Sequence, residues 1–168
     1  MRTRLIAVIG SGKELDREVA VVAEEMGAAL VRAGYGIVSG GVGGVMEAVS
    51  RGAVRARGKE VAPPIIGILP SYDVTSGNAY LDLVLPTGMG HARNALVAAA
   101  GEALICIGGA TGALSEVGLA RKIGRPVISF PGTGGTASLV GKALSSVIEV
   151  ETVDEAMEAI GQHVPSAS

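Results

Sequence analysis

GMGHARNALVAAAGEALICIGGATGALSEVGLARKIGRPVISF, residues Gly88–Phe130, is the stretch whose reading decides the fold. Its pattern predicts a helix over 90–100, a strand over 103–107, a glycine loop, a helix over 113–123 and a strand over 126–130. The loop, Gly108-Gly109-Ala110-Thr111-Gly112, leaves an apolar strand and opens a helix. Such a loop presents backbone N–H groups, and the helix behind it points its positive end at the same place. Arg93 is expected in the first turn of the preceding helix and Glu116 in the first turn of the following one. Both are expected to face one anion-binding crevice.

The same alternation extends in both directions. Leu5-Ile-Ala-Val-Ile9 is a continuous apolar run ending in Gly10-Ser11-Gly12. Runs without polar alternation mark strands buried on both faces, hence a parallel sheet covered by helices. Residues 15–33 have helical spacing, with Leu15, Val19, Val22, Met26 and Leu30 on one face and Gly34 as the stop. Gly36–Ser39 is a second strand, running into Gly40-Gly41-Val42-Gly43-Gly44 and a helix. Arg51, Arg55, Arg57 and Lys59 gather at that helix's C-terminal end, where cations complement the dipole. Strands are expected at 65–69, 81–85 and 147–150, and helices at 137–144 and 152–162, with a polar loop at 71–80. The pattern predicts one α/β domain over residues 1–164, a three-layer sandwich around a mostly parallel sheet, with a frayed tail at 165–168. Ligands of such sheets bind at the carboxyl ends of the strands. The clusters at Gly10–Gly12, Gly40–Gly44, Gly108–Gly112 and Gly132–Gly135 each follow a strand, so all are expected on one edge.

Composition narrows the function. Hydrophobic residues are 48% and charged residues 18%, which marks a globular chain with a substantial core. A net charge of −2 argues against nucleic acid held on a broad basic face. Aromatic residues are only 2%, which argues against a base platform of stacked rings. The single Cys106 lies in an apolar strand and reads as a core residue, which fits a reducing compartment. No signal peptide or membrane-spanning run is visible, so a cytoplasmic location and no membrane partner are expected.

The glycine loops point to a phosphate or similar anion. A dinucleotide fingerprint is absent, because Gly10-Ser11-Gly12 lacks the third glycine and the second strand ends in Ser39 rather than an acid. A Walker loop is absent too, so a mononucleotide or similar phosphate ester is the expected ligand. Each loop alone also reads as a tight turn; it is their convergence that points to a site. Candidate contacts are Gly10, Ser11, Gly40, Gly41, Gly44, Gly108, Gly109, Thr111, Gly112 and Ala113. A cation in a first helical turn is disfavoured, so Arg93 calls for a partner such as a ligand phosphate or Glu116. An acid there is favourable by itself, so Glu116 reads either as a helix-end acid or as a catalytic group. His91 reads as a surface residue. No metal-ligand cluster and no GxSxG elbow occur, and no metal is expected.

Three segments carry a family resemblance: Gly40-Gly41-Val-Gly-Gly44-Val-Met-Glu-Ala, Gly88-Met-Gly-His-Ala-Arg93-Asn and Gly108-Gly-Ala-Thr-Gly-Ala-Leu-Ser-Glu116. Together they resemble the LOG (Lonely Guy) superfamily of Rossmann-like proteins, whose members often carry a transferred lysine decarboxylase label. The resemblance spans nearly the whole chain. It implies a Rossmann-like fold, a homodimer, and Arg93 and Glu116 at the two positions the LOG enzymes use to hydrolyse nucleoside 5′-monophosphates to free base and ribose 5-phosphate. No cofactor is required for that chemistry. A carboxylate beside the ribose stabilises its developing positive charge or positions water. The chain departs from the enzymes' PGGxGTxxE pattern at Ile107 and Ala113, is one residue longer between Gly109 and Glu116, and has Asn94 where Lys is frequent. In these respects it is similar to the branch that includes molybdenum-cofactor carrier proteins, which implies the alternative of a non-catalytic protein holding a nucleotide or phosphorylated pterin. Nothing marks Lys13, Lys59, Lys122 or Lys142 as a pyridoxal-phosphate lysine. The expected partner is a small AMP-like phosphate, with no nucleic acid.

Overall fold

The structure, a computed structural model, describes residues 3–58 and 62–164. Lys59 and the tail at 165–168 lie outside the described residues. Seven strands, β1 (Leu5–Gly10), β2 (Gly36–Ser39), β3 (Ile65–Leu69), β4 (Leu83–Pro86), β5 (Ala103–Ile107), β6 (Val127–Phe130) and β7 (Val147–Glu149), alternate with six helices. The helices are α1 (Arg17–Arg32), α2 (Val45–Ala56), α3 (Asn94–Ala100), α4 (Thr111–Lys122), α5 (Gly135–Ala143) and α6 (Val153–His163). The strand order is β4-β3-β2-β1-β5-β6-β7, and every neighbouring pair is parallel. This is the expected Rossmann-like α/β sandwich. The chain winds outward from β1 to β4, then returns to lay β5 against the other side of β1. The switch in direction between β1 and β5 opens the crevice in which ligands of such sheets sit.

The side-chain period of the strands builds two cores. Ile6 and Val8 of β1 and Ile105 and Ile107 of β5 pack with Met26, Leu30, Val49 and Ile160 under α1, α2 and α6. The alternate residues Ala7, Ile9, Leu104 and Cys106 pack with Val97, Val117, Ala120 and Val140 under α3, α4 and α5. Each fully buried aliphatic side chain contributes about 1.5–3 kcal/mol. Cys106 is thus a core residue, as its strand context implies. Small residues set the spacing on the first face: a Cβ at Gly27 would overlap the Val49 carbonyl, and one at Gly52 the Glu24 carbonyl, so α1 and α2 meet backbone to backbone.

Several local expectations shift. The helix expected at 90–100 is a 3-10 turn, Gly90–Arg93, followed by α3; Gly88 and Gly90 have φ of 64° and 56°, which delays the α-helix. The fourth strand begins at Leu83, because Asp82 is engaged by the Ile65 N–H and by Arg57. The arginines after α2 have carboxylate partners beyond the dipole: Arg51 and Arg55 bind Glu24, and Arg57 binds Asp82. Glu116 is not in a first turn. Because α4 starts at Thr111, Glu116 stands in the second turn, where the helix-end reading of this acid no longer applies.

Candidate functional site

All the glycine loops open at the carboxyl edge of the sheet, and they touch one another. A Cβ at Gly44 would lie 2.6 Å from the Lys13 carbonyl, joining the β2–α2 loop to the β1–α1 loop. A Cβ at Gly109 would lie 3.7 Å from the Gly10 Cα, joining the β5–α4 loop to the same segment. Several predicted contact glycines therefore serve loop packing. Gly10 is wedged between Ile107 and Val45, and Gly41, at φ 71°, lies against Gly67. Ser11 is engaged within the chain, its Oγ accepting from Lys13 N and its carbonyl from Val45 N.

Five helices, α1 to α5, begin at this edge without a side-chain cap. The N-cap of α4 is Ala110 and that of α2 is Gly44. By contrast α6 has a complete capping box from Thr152 and Glu155. An uncapped helix start leaves N–H donors for water or an anion. Ala110, Thr111 and Gly112 are exposed, while Ala113 is buried and supplies no hydroxyl. A groove of about 590 Å³ adjoins this start, lined by His91, Asn94, Thr111, Gly112, Ser115 and Leu119.

The glycine loop is held from behind by the segment Pro131–Thr136. Thr133 Oγ1 accepts from Gly108 N at 2.7 Å and donates to the Phe130 carbonyl. Thr136 N donates to the Gly109 carbonyl, Ala137 N to the Gly108 carbonyl and Thr136 Oγ1 to the Ala110 carbonyl. Gly108 thus spends its N–H inside the protein, contrary to its predicted use as a ligand donor. Gly109, at φ 99°, turns the chain toward α4.

Arg93 and Glu116 converge from consecutive crossovers. Arg93 Nη1 stands 3.7 Å from Glu116 Oε1, with side-chain exposures of 11% and 7%. The guanidinium also donates to Asn94 Oδ1 and lies over Gly40. Asn94, buried, donates from Nδ2 to Ser115 Oγ at 3.0 Å and so ties Arg93 to the first turns of α4. Arg93 Nε is buried without a partner. Burial pushes the Glu116 carboxyl up to about 7, with the Arg93 charge opposing. Burial likewise holds Arg93 below its ordinary value, opposed by Glu116, and the guanidinium stays charged. A carboxyl that gains or loses a proton near neutrality beside a fixed cation can transfer protons or steady a nearby positive charge. Cys106 lies beneath, its thiol pushed up to about 12 by burial and by the Glu116 charge, so it is chemically quiet. Among the described residues no three His, Cys, Asp or Glu side chains gather as metal ligands do.

Sequence reading missed Asn94, Thr133 and Thr136 as positioning residues. Asn94 adjoins Arg93, and the threonines interrupt a glycine run, so each had a faint local signal. Their partners across the loop lie 18 to 27 residues away in sequence, beyond any local pattern.

A family model, the SLOG cluster4 family, matches residues 3–160. The chain belongs to that family. An uncharacterized protein of Archaeoglobus fulgidus is 39% identical over 130 residues, 77% of this chain and 82% of that one. The molybdenum cofactor binding protein of Rippkaea orientalis superposes with a TM-score of 0.83 at 29% identity, covering 96% of this chain and 98% of that one. The molybdenum cofactor carrier protein of Chlamydomonas reinhardtii gives a TM-score of 0.83 at 27% identity, with 97% and 99% covered. Family membership agrees with the three glycine-bearing segments, which fall in this SLOG cluster4 chain at the ends of β2, β4 and β5.

Proposed function

We propose that this protein holds a phosphorylated ligand with a planar heterocycle, a nucleotide or phosphorylated pterin, at the carboxyl edge of β1, β2 and β5, as a binding or carrier protein. The observation that carries the reading is the uncapped, exposed start of α4 beside a buried arginine whose Nε has no partner. A phosphate there completes the helix-start donors and neutralises the local positive end. Similarity to molybdenum cofactor binding and carrier proteins over almost the full chain supports the heterocycle and the carrier role. Gly109, Thr111 and Gly112 are the phosphate contacts in this reading, with Gly40 leaving room for Arg93. No further cofactor is needed.

The 3.7 Å approach of Arg93 to Glu116 favours a second reading, hydrolysis of the N-glycosidic bond of a nucleoside 5′-monophosphate. Glu116 would then steady the ribose cation or deprotonate water. One experiment separates the two. Protein from a host that makes molybdenum cofactor is analysed by mass spectrometry for a bound ligand, then incubated with AMP and related monophosphates while free base is followed by chromatography. A bound pterin with no base released supports the carrier. Base released by the wild type and not by Glu116→Gln supports the hydrolase.

A homodimer is part of this proposal. Leu96 of α3 and Leu114 and Leu119 of α4 are exposed on the helix layer opposite α1, with Ile123 just beyond, and a second copy is the occupant proposed for that surface.

A further inference from the structure

β3 and β4 are parallel neighbours, and a parallel pair needs a crossover, usually a helix. Here the connection over residues 70–82 carries only a 3-10 turn, Val74–Ser76. Its two halves differ. Residues 72–76 are exposed, and Tyr72, at 81%, is the most exposed aromatic ring of the chain. Gly77, Asn78 and Tyr80 are half-buried, because this half turns back onto the β2–α2 loop, Gly40–Gly44.

Asn78 makes that return. Its backbone N donates to the Gly41 carbonyl at 2.8 Å. Its Nδ2 donates to the same carbonyl at 3.3 Å and to the Val42 carbonyl at 3.1 Å. Its Oδ1 accepts from Tyr80 N at 3.1 Å. Both amide hydrogens and the amide oxygen are thus engaged inside the protein. Tyr80 lies under the Arg51 guanidinium, 5.9 Å from its ring centroid, which fastens this end of the connection to α2. The β2–α2 loop has few means of holding itself. All its residues but Val42 are glycine, the residue that loses most backbone freedom on being fixed. Ser39 Oγ accepts from Gly41 N on one side, and Asn78 grips two consecutive carbonyls on the other. Gly40 precedes the first of those carbonyls, and Arg93 lies on it: a Cβ there would stand 2.5 Å from Arg93 Nη2.

We infer that Asn78 is a positioning residue for Arg93: by gripping the Gly41 and Val42 carbonyls it fixes the seat at Gly40 and so holds the guanidinium opposite Glu116. Asn78 acts through the loop and not on the ligand, since its amide has no donor left over. The inference rests on the reading of the crevice given above for what Arg93 does there, and deepens it by naming the contact that keeps the cation in place. It also gives the helix-free connection between β3 and β4 a role, as a strut between the edge of the sheet and the site.

The test uses ligand-free protein, so its outcome is independent of what the crevice binds. The infrared stretch of the protonated Glu116 carboxyl, identified by its loss in Glu116→Gln, is followed against pH. Arg93 is the cation facing this carboxyl and Cys106 the other titratable group beside it. The wild-type midpoint is expected at about 7. Asn78→Ala is expected to raise it by about half a unit or more, because a guanidinium that leaves its seat opposes the upward shift less. Asn78→Ser, a milder change should Asn78→Ala not fold, is expected to move it in the same direction. Two controls remove a hydrogen bond elsewhere. Thr75→Ala breaks the Asp73 turn in the exposed half of the same connection, and Tyr35→Phe deletes the hydroxyl that donates to the Val164 carbonyl. Both are expected to leave the midpoint in place. An unchanged midpoint in the Asn78 variants, or an equal move in either control, overturns the inference. Failure of the wild type to bind AMP or 6-hydroxymethylpterin phosphate overturns the reading of the crevice, and the infrared midpoint still decides the role of Asn78.

Discussion

The guanidinium of Arg93 fills the space that a side chain at residue 40 would need: a Cβ on Gly40 would lie 2.5 Å from Arg93 Nη2 and 2.9 Å from its Cζ. Gly40 is therefore a seat for Arg93, and the β2–α2 loop holds the cation in place opposite Glu116. Gly40→Ala is expected to push the guanidinium aside, lowering stability by about 1–3 kcal/mol as overpacked sites do and weakening ligand binding about tenfold. Thermal melting and ligand titration measure the two effects, and an unchanged affinity would show that the seat does not matter.

Glu116 sets a pH dependence with a definite sign. Its folded-state value, about 7, is raised above the ordinary 4.5, so the folded chain binds more protons than the unfolded chain between these values. Stability from this group is fully present below pH 4.5 and is lost as pH rises through 7. The ligand-free protein is expected to lose on the order of 2–3 kcal/mol between pH 5 and pH 8 from this group. Denaturant melts of wild type and Glu116→Gln at both values check it; the difference between the two pH values should shrink in the variant.

Removing the cation exposes the same group from the other side. Arg93→Ala deletes the charge that opposes the upward shift of Glu116, so the carboxyl is expected to titrate about one unit or more higher. The protonated carboxyl stretch in the infrared, followed against pH, reports it directly. No upward movement would mean that the two groups are not electrically coupled.

Thr133 tests the brace behind the glycine loop. Thr133→Val keeps the shape and removes the acceptor for Gly108 N, leaving a buried donor unpaired, which costs about 1–3 kcal/mol. Reduced stability together with weaker phosphate binding is expected, since the loop no longer holds its curve. Amide exchange at Gly108 gives the local readout.

The exposed leucines make the assembly testable as well. Leu119→Glu places a charge in the proposed face between copies and is expected to convert a dimer to a monomer in sedimentation, with the melting temperature of the isolated chain little changed. A single species of the same mass for both proteins would place the contact elsewhere.

Much of the architecture was legible before any coordinates. Leu5–Ile9 and Ala103–Ile107 lack polar alternation because both of their faces are covered, and that lack is visible in a linear string. The convergence of the glycine loops followed from the parallel sense of the strands. The reading failed where a long-range contact decides the matter. Gly10 and Gly41 read as glycines for a ligand, and the string could not show that Val45 and Gly67 also demand them for packing. Glu116 looked like a helix-start acid because the spacing suggested a start at residue 113; the chain enters the helix two residues earlier, where the loop is braced by Thr133 and Thr136.

The sequence by itself determined the class of fold, the edge of the sheet at which the glycine loops gather and the two charged residues that meet there. These follow from hydrophobic period and from glycine placement, which are local properties of the chain. Only the tertiary structure decided what those residues experience: that Glu116 is buried enough to titrate near neutrality, that Arg93 is seated on Gly40, and that Tyr72 is the ring left facing solvent. Burial and desolvation depend on groups brought together from distant parts of the chain, and no spacing rule along the sequence contains them.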